Sequence, residues 1–360
     1  LHFSLFLKIK LPAMKILRYL LYTLAIAAGA FLIFLLVMTI SDYQPKESET
    51  VFQSDREFSI HDSIFSAVIW NVGYAGLDSS MDFFYDGGKQ VRPTRNQAAS
   101  NVQCILQTLE EFAGNDFILL QEVDKRSKRS HRTDLCSAIE NQLAGFHSSF
   151  GTNYRVPFVP VPVRAPMGKV HSGLQTLSNY IPAEVTRHSF PGNYAWPVRL
   201  FMLDRCFLVN RYPLAGDREL VLINTHNSAY DDGSLRAQQM RFLKQFLLEE
   251  YREGNYVLAG GDWNQTPHGF EPGFTAHPFD TTDLTYLEAG YPAEGWTWAY
   301  DPIVPTNRRV RTIYNRGETP VTVIDFFLLS PNLEVLAVEG ADLDFACSDH
   351  QPVTLTCAIR

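Results

Sequence analysis

Toward its C-terminus the chain carries Cys347-Ser348-Asp349-His350-Gln351-Pro352-Val353, a carboxylate and an imidazole side by side between apolar segments. Other short polar islands share that setting: Asn71 after one apolar run, Gln121-Glu122 after another, then Asn224-Thr225-His226, Gly261-Asp262-Trp263-Asn264 and Ile324-Asp325. Each is expected at the C-terminal end of a buried strand or just beyond one. Strand ends that point to one rim can bring distant residues into one cleft. Asn, Glu, His, Asp and Asn gathered there suit a hard metal ion and a phosphate group.

Taken singly, each island also has a plainer reading. Glu122 follows the apolar run Phe117-Ile118-Leu119-Leu120, as a Mg²⁺ ligand or as the first residue of a solvated loop. His226 at a strand end is often structural. Asp262 and Asn264, two apart on an extended segment, would put a base or ligand and an amide donor on the same side, or would form an Asx-turn. Asp325 is expected inside a strong strand, where an unpaired carboxylate is costly and calls for a partner. His350 is the obvious one, because an Asp that fixes an imidazole in one tautomer is a recurrent catalytic arrangement. Arg205, in Leu203-Asp204-Arg205-Cys206, starts a strand toward the same rim, to meet phosphate or to pair with an acidic neighbour.

The elements that must position these residues are legible as patterns. Residues 64–70, 116–120, 256–260, 321–329 and 352–358 read as strands, and 150–229 as successive strands separated by turns. Residues 94–113, 130–143 and 235–251 read as helices. Residues 267–319 read as loop-rich. The loop at 73–92 is rich in glycine and aromatics, and its Tyr74, Phe83, Phe84 and Tyr85 either wall a substrate or membrane-facing lip or pack the loop onto the domain. Strands alternating with helices at both ends, around a strand-rich middle, predict two packed sheets with helices outside.

The 360 residues allow one large α/β domain or two smaller ones, and 46% hydrophobic with 19% charged residues describes a globular chain. Residues 19–40 are uncharged and mostly apolar, about 33 Å as a helix and enough to cross a bilayer core. Lys8, Lys10, Lys15 and Arg18 precede that run, and Asp42, Lys46, Glu47 and Glu49 follow it. The positive-inside rule then predicts a cytoplasmic segment 1–18, a transmembrane anchor or uncleaved signal at 19–40, a linker at 41–62 and an exported domain at 63–360. Met14 is read as an alternative start. Beyond residue 41 there are 27 basic and 39 acidic residues, a net charge of -12 that disfavours non-specific duplex binding outside a local basic cleft. The five cysteines lack CxxC spacing, which argues against a zinc-thiolate site. One disulfide is open to an exported domain, but the odd count and the placement in strands or helices favour buried free thiols.

Taken in order, Trp70-Asn71, Leu120-Gln121-Glu122, Asn224-Thr225-His226, Gly261-Asp262-Trp263-Asn264, Ile324-Asp325 and Ser348-Asp349-His350 resemble the signature series of the endonuclease/exonuclease/phosphatase superfamily. The resemblance runs over residues 64–358. It implies an α/β fold of the DNase I-like type, a four-layer sandwich of two mixed β-sheets flanked by helices. It implies Glu122 as the principal Mg²⁺ ligand (Mn²⁺ being the alternative ion), with Asn71 and Asp349 near the metal. Asp262 would orient or deprotonate the attacking water, and Asn264 and His226 would hold phosphate oxygens. His350, held by Asp325, would stabilise the transition state or serve as acid/base. His226 stands where abasic-site endonucleases of the superfamily carry a Tyr, and the substrate motifs of inositol 5-phosphatases are not found.

The expectation is a monomeric, membrane-anchored and exported phosphoesterase, with no obligate protein partner and with diester cleavage favoured over monoester cleavage. A lipid head-group phosphodiester is the preferred substrate, in the manner of a sphingomyelinase. An exported metal-dependent endo/exonuclease acting on nucleic acid is the alternative, and an inactive binding protein of the same fold the third reading.

Overall fold

The computed structural model describes all residues except 1–4, 56–58, 215, 230–232 and 275–283, with backbone alone for 5–13. Parts of the expected N-terminal segment, linker and late loop therefore lie outside the described residues. Helix α1 (Leu5–Ile40) comes first, followed by β1 (Ser48–Gln53), β2 (Ile64–Asn71), α2 (Arg95–Glu111), β3 (Phe117–Asp124) and α3 (Leu135–Gln142). The strand-rich middle is β4 (His147–Val159), β5 (Gly168–Ser178), β6 (Glu184–Ser189), β7 (Cys206–Pro213) and β8 (Glu219–His226). Then come α4 (Ser234–Arg252), β9 (Tyr256–Asp262), β10 (Thr297–Ala299), β11 (Asn307–Arg308), β12 (Val321–Thr322), β13 (Asp325–Leu329), β14 (Leu333–Gly340) and β15 (Val353–Ile359).

Two mixed sheets result. One has the order β1-β6-β7-β8-β9-β13-β10 and the other β14-β15-β2-β3-β5-β4, with β11 and β12 as a separate small pair. The pairs β8–β9 and β2–β3 are parallel and their neighbours antiparallel. The continuous apolar runs are explained by burial on both faces. On β8, Leu220 and Leu222 point to the opposing sheet, where they meet Phe117, Leu119 and Leu355. The alternate residues Val221 and Ile223 pack beneath Leu243 and Leu247 of α4. On the other sheet Val68, Trp70, Ile118 and Leu120 face Ile105 and Leu109 of α2 and Ile139 of α3. The layers are thus helix, sheet, sheet, helix. Each such side chain, fully buried, contributes about 1.5–3 kcal/mol.

Local signals explain the helix ends. Thr94 caps α2 through the Gln97 N–H, and the Gln97 side chain accepts from the Thr94 N–H. The expected helix at 130–143 begins only at Leu135, because Asp134 caps it by accepting from the Ser137 N–H. The segment read as a linker supplies β1, which pairs antiparallel with β6 along the sheet edge. β14 was not expected; it is the other sheet's outer strand, and its mixed exposure hides the alternation. In the aromatic loop Tyr74 is buried, and Phe83 and Phe84 pack against an apolar cluster, so packing prevails over a lip; Tyr85 remains exposed.

The expectation of free thiols holds for Cys136, Cys206 and Cys357, which are buried, and fails for the other two. Cys104 on α2 and Cys347 form a disulfide. Packing of the C-terminal loop against α2 brings the two together, a juxtaposition that spacing along the chain does not reveal.

Candidate active site

The rim is built by register. Asp262 ends β9; His226 lies opposite it on β8 and Asp325 opposite it on β13. In the other sheet Asn71 ends β2 opposite Gln121 of β3. Asp325 begins β13, and Asp349 and His350 precede β15, so these three stand at N-terminal strand ends, not at the C-terminal ends expected. The reason is that β13 and β15 run antiparallel to β9 and β2. The expected strand at 321–329 is also broken, into β12 and β13. Beneath the rim the Gln121 amide donates to Asn224 Oδ1 at 2.8 Å, tying one sheet to the other.

The sheets meet at Asp262. Its Oδ2 accepts from Asn71 Nδ2 at 3.0 Å, and lies 3.2 Å from His226 Nε2 and 3.8 Å from His350 Nε2. Its Oδ1 accepts from the Asn264 N–H at 2.9 Å. Asn264 is therefore not on an extended segment beside Asp262: it sits in a left-handed turn, φ 51°, closed by an Asx-type bond. One Asp262 oxygen shapes the turn and the other meets Asn71, His226 and His350. Asn264 Nδ2 donates to the Asn227 carbonyl at 2.9 Å, which leaves its second N–H for another acceptor. Gly261 is required here, since at φ 145° a Cβ would stand 2.0 Å from the Thr225 carbonyl oxygen.

His350 Nδ1 lies 2.7 Å from Asp325 Oδ2, with both groups buried. Burial alone would lower the His350 pKa, but the carboxylates of Asp325, Asp262 and Asp349 outweigh it and push it up to about 10. Asn307 presents its side-chain amide 3.0 Å from His350 Nε2. An imidazolium there calls for the amide oxygen, a neutral ring for the amide nitrogen. His226 is held neutral: burial drives its pKa well down, with the Arg205 and His350 charges adding to the effect. Burial pushes Asp262 up to about 6, against the pull of His350. Asp262, Asp325 and His350 bring ligand atoms within 4.8 Å of one another, a cluster fit to bind a metal by spacing alone. Their donors already engage each other and His350 is cationic, which favours proton handling over a metal cage.

Glu122 occupies a bulge in β3, where the register against β5 shifts between Leu120 and Val123 and φ is 57°. It is inside the strand, not past its end, and the bulge turns its half-buried carboxylate to the rim. Arg129 lies 3.9 Å from Glu122, 2.9 Å from Asp124, and 3.7 Å from the centre of the Tyr74 ring. Asp349 is buried, and burial pushes its pKa up to about 7, with the Glu122 charge adding. A Cβ at Gly73 would lie 2.9 Å from Asp349 Oδ1, so this glycine keeps one side of the carboxylate open. Asn71 Oδ1 accepts from the Gly73 N–H at 3.0 Å. Two neighbouring carboxylates and an amide oxygen, with space beside one of them, fit a hard divalent cation.

Arg205 directly precedes β7, close enough for its charge to act on His226. Sequence reasoning missed Arg129, Asn227 and Asn307. Asn227, next to His226, takes the Thr225 hydroxyl at 2.7 Å and the Asn264 amide, which braces the turn. Its adjacency to His226 was the available signal. Asn307 lies in a stretch without periodicity and had none.

A family model described as "Endonuclease/Exonuclease/phosphatase family" matches residues 68–350. No curated protein sequence matches significantly. Among solved structures, the endonuclease/exonuclease/phosphatase from Beutenbergia cavernae DSM 12333 is similar with a TM-score of 0.52 at 15% identity, covering 83% of this chain and 72% of that one. D. rerio TDP2, complexed with a single strand DNA product, is similar with a TM-score of 0.51 at 15% identity, covering 82% and 99%. ANGEL2, a 2′,3′-cyclic phosphatase in complex with adenosine-2′,3′-vanadate, gives 0.53 at 14% identity, covering 88% and 99%. Identities this low show a shared fold.

Proposed function

The chain belongs to the endonuclease/exonuclease/phosphatase family, whose members are generally phosphoester hydrolases, and from that premise we propose that it is a Mg²⁺-dependent phosphodiesterase anchored in a membrane and acting on a lipid head-group phosphodiester. The observation that carries the catalytic part is the meeting of Asn71, His226 and His350 on one oxygen of Asp262. Through Asn71 and Gly73 that oxygen adjoins a second group of carboxylates, Asp349 and Glu122.

Glu122, Asp349 and Asn71 would hold the cation, which when bound screens the charge of the phosphate. Asp262 accepts the proton of the attacking water as the new P–O bond forms. The single N–H of neutral His226, at Nε2 and shared between Asp262 and a phosphate oxygen, and the spare N–H of Asn264 hold the phosphate in place for in-line attack. His350, cationic and fixed by Asp325, offers its Nε2 proton to the charge that develops as the P–O bond to the leaving group breaks. Asn307 orients that ring, and Arg129 positions Glu122. Arg205 adds positive potential on the His226 side.

Anchoring is supported by the apolar stretch 14–40 of α1, whose mean hydropathy reaches 2.6 with exposed side chains along most of its length. A signal sequence would show the same features. The Cys104–Cys347 disulfide fits an oxidising, exported compartment for the domain. The lipid preference rests on that anchor and on the net charge of -12 beyond residue 41, which opposes a polyanionic substrate. The test is a comparison of rates on sphingomyelin or phosphatidylcholine vesicles and on plasmid or single-stranded DNA, each with Mg²⁺ and with chelator. Chelator-sensitive release of phosphorylated head group supports the proposal. Nicking of DNA without head-group release would replace it with the nuclease.

A further inference from the structure

The last turns of α1 do not stand clear of the domain. Phe34 stacks on Phe201, with ring centres 6.0 Å apart, and meets Phe158 edge-on at 6.3 Å. Leu35 and Met38 are buried, and Met38 belongs to an apolar cluster with Tyr154, Val156, Val170 and Leu200. The Trp196 indole N–H donates to Thr39 Oγ1 at 3.2 Å. The helix therefore emerges along the side of the domain, at the edge of the sheet formed by β4.

Around that exit the domain shows apolar side chains to solvent. Phe158, Val161 and Val163 lie at the end of β4 and in the loop to β5, and Trp196 and Val198 lie before β7; Val163 is 87% exposed and Trp196 55%. Arg164, also exposed, stands beside Val163. A cluster of apolar tips, an amphipathic indole and a cation is the composition of a surface that enters a lipid interface. The helix geometry puts them at that level. At 1.5 Å per residue, the stretch from Phe34 to Ile40 is only about 9 Å long. If residues 19–40 filled the bilayer core, Phe34 and its contacts would lie about 9 Å inside it, carrying the open edge of β4 into hydrocarbon, where unpaired strand backbone is not tolerated. If the span is instead residues 14–33, about 30 Å, the same contacts begin where the bilayer core ends. The second placement therefore holds, and it sets the β4 edge at Phe158, with the exposed Val161 and Val163 that follow it, at the lipid interface.

We infer that the catalytic domain docks on the bilayer that holds α1, inserting the β4–β5 loop and Trp196 into the lipid interface. This rests on the membrane-anchored reading above. The consequence concerns the active site. Val161 is joined to the rim through a continuous series: the Tyr85 hydroxyl donates to its carbonyl at 2.6 Å, and Tyr85 packs on Phe83, Phe83 on Tyr74 and Tyr74 on Arg129, which faces Glu122. β3, which carries Glu122, is two strands in from β4, about 10 Å. Docking at this edge holds the cleft beside the membrane surface.

The test uses the full chain in phosphatidylcholine vesicles carrying a doxyl-labelled lipid. An environment-sensitive fluorophore is attached at Val163→Cys, at Ile26→Cys in the helix, and at Leu336→Cys on β14. The last is the opposite edge of the same sheet and is exposed. Cys136, Cys206 and Cys357 are buried, so labelling is selective. Docking predicts severalfold stronger quenching at 163 than at 336, with emission shifted to the blue. Quenching at 26 with equal, weak quenching at 163 and 336 overturns docking and leaves the anchor standing. No quenching at 26 or 163 overturns both.

Discussion

Asp262 Oδ2 lies 3.2 Å from His226 Nε2, and the two residues face each other across the parallel β8–β9 ladder. Burial holds the imidazole neutral and raises the carboxyl to about 6. Asp262 acts as a base only when ionised, so the proposed role gives an acid limb. On a chromogenic phosphodiester kcat/KM should be level above pH 6 and fall by about tenfold per unit below it. Asp262→Asn should cost about 10²-fold or more above pH 6, lose the acid limb, and differ less from the wild type as pH falls below 6. A wild-type profile that stays level to pH 5 removes Asp262 from the role of base.

His350 and Asp325 form a buried pair with a sign that can be checked. The His350 pKa is raised from 6.5 to about 10 in the folded protein. Its protonation therefore favours folding fully below pH 6.5, and that contribution is lost as pH rises toward 10. Asp325→Asn should reduce this alkaline loss, Asp262 and Asp349 still contributing, and bring the His350 titration down, read by NMR of the ring. Asp325→Ala, which removes the nearest of the three carboxylates that balance His350, should lower stability in chemical denaturation below pH 6.5. An unchanged His350 titration in Asp325→Asn would show that the two groups do not share charge.

Glu122→Gln keeps the size of the side chain in its bulge and removes one charge from the proposed metal site. Activity at ordinary Mg²⁺ should drop by orders of magnitude and recover in part with excess Mg²⁺. Calorimetry should show weaker Mg²⁺ and Mn²⁺ binding, with the thermal midpoint in chelator little altered. Undiminished turnover at ordinary Mg²⁺ would rule out Glu122 as principal ligand.

Those residues were legible in the sequence because β2, β3, β8 and β9 are apolar on both faces, which makes Asn71, Glu122, His226 and Asp262 stand out as polar interruptions. The same contrast marked Asp325 and His350 but not their place at the beginnings of antiparallel strands, since hydropathy carries no strand direction. The bulge at Glu122 was invisible because it depends on a single φ angle, whereas the turn at Asn264 is the Asx-turn that the sequence left open beside an extended segment. Arg129 and Asn307 reach the site from turns and loops, where no period announces a position. β1 and β14 are outer strands whose half-exposed residues look like linker. Phe158, Val163 and Trp196 are scattered along the chain, and only the folded edge at β4 gathers them around α1.

The Cys104–Cys347 bond joins α2 to the loop two residues before Asp349, across a separation of 243 residues. Closing a loop of that length should stabilise the fold by about 5 kcal/mol in the chain-entropy model, with native strain subtracting from it. Cys104→Ser should lower the thermal midpoint, and reductant should lower that of the wild type and leave the variant's unchanged. Because Asp349 follows so closely, the variant should also need more Mg²⁺ for half-maximal rate, an effect that loss of global stability alone would not produce well below the melting range. Thiol titration in denaturant gives a direct count: three of the five cysteines should react without reductant and all five with it. Five reactive thiols in protein recovered from its native compartment would place the domain on a reducing side and contradict its export.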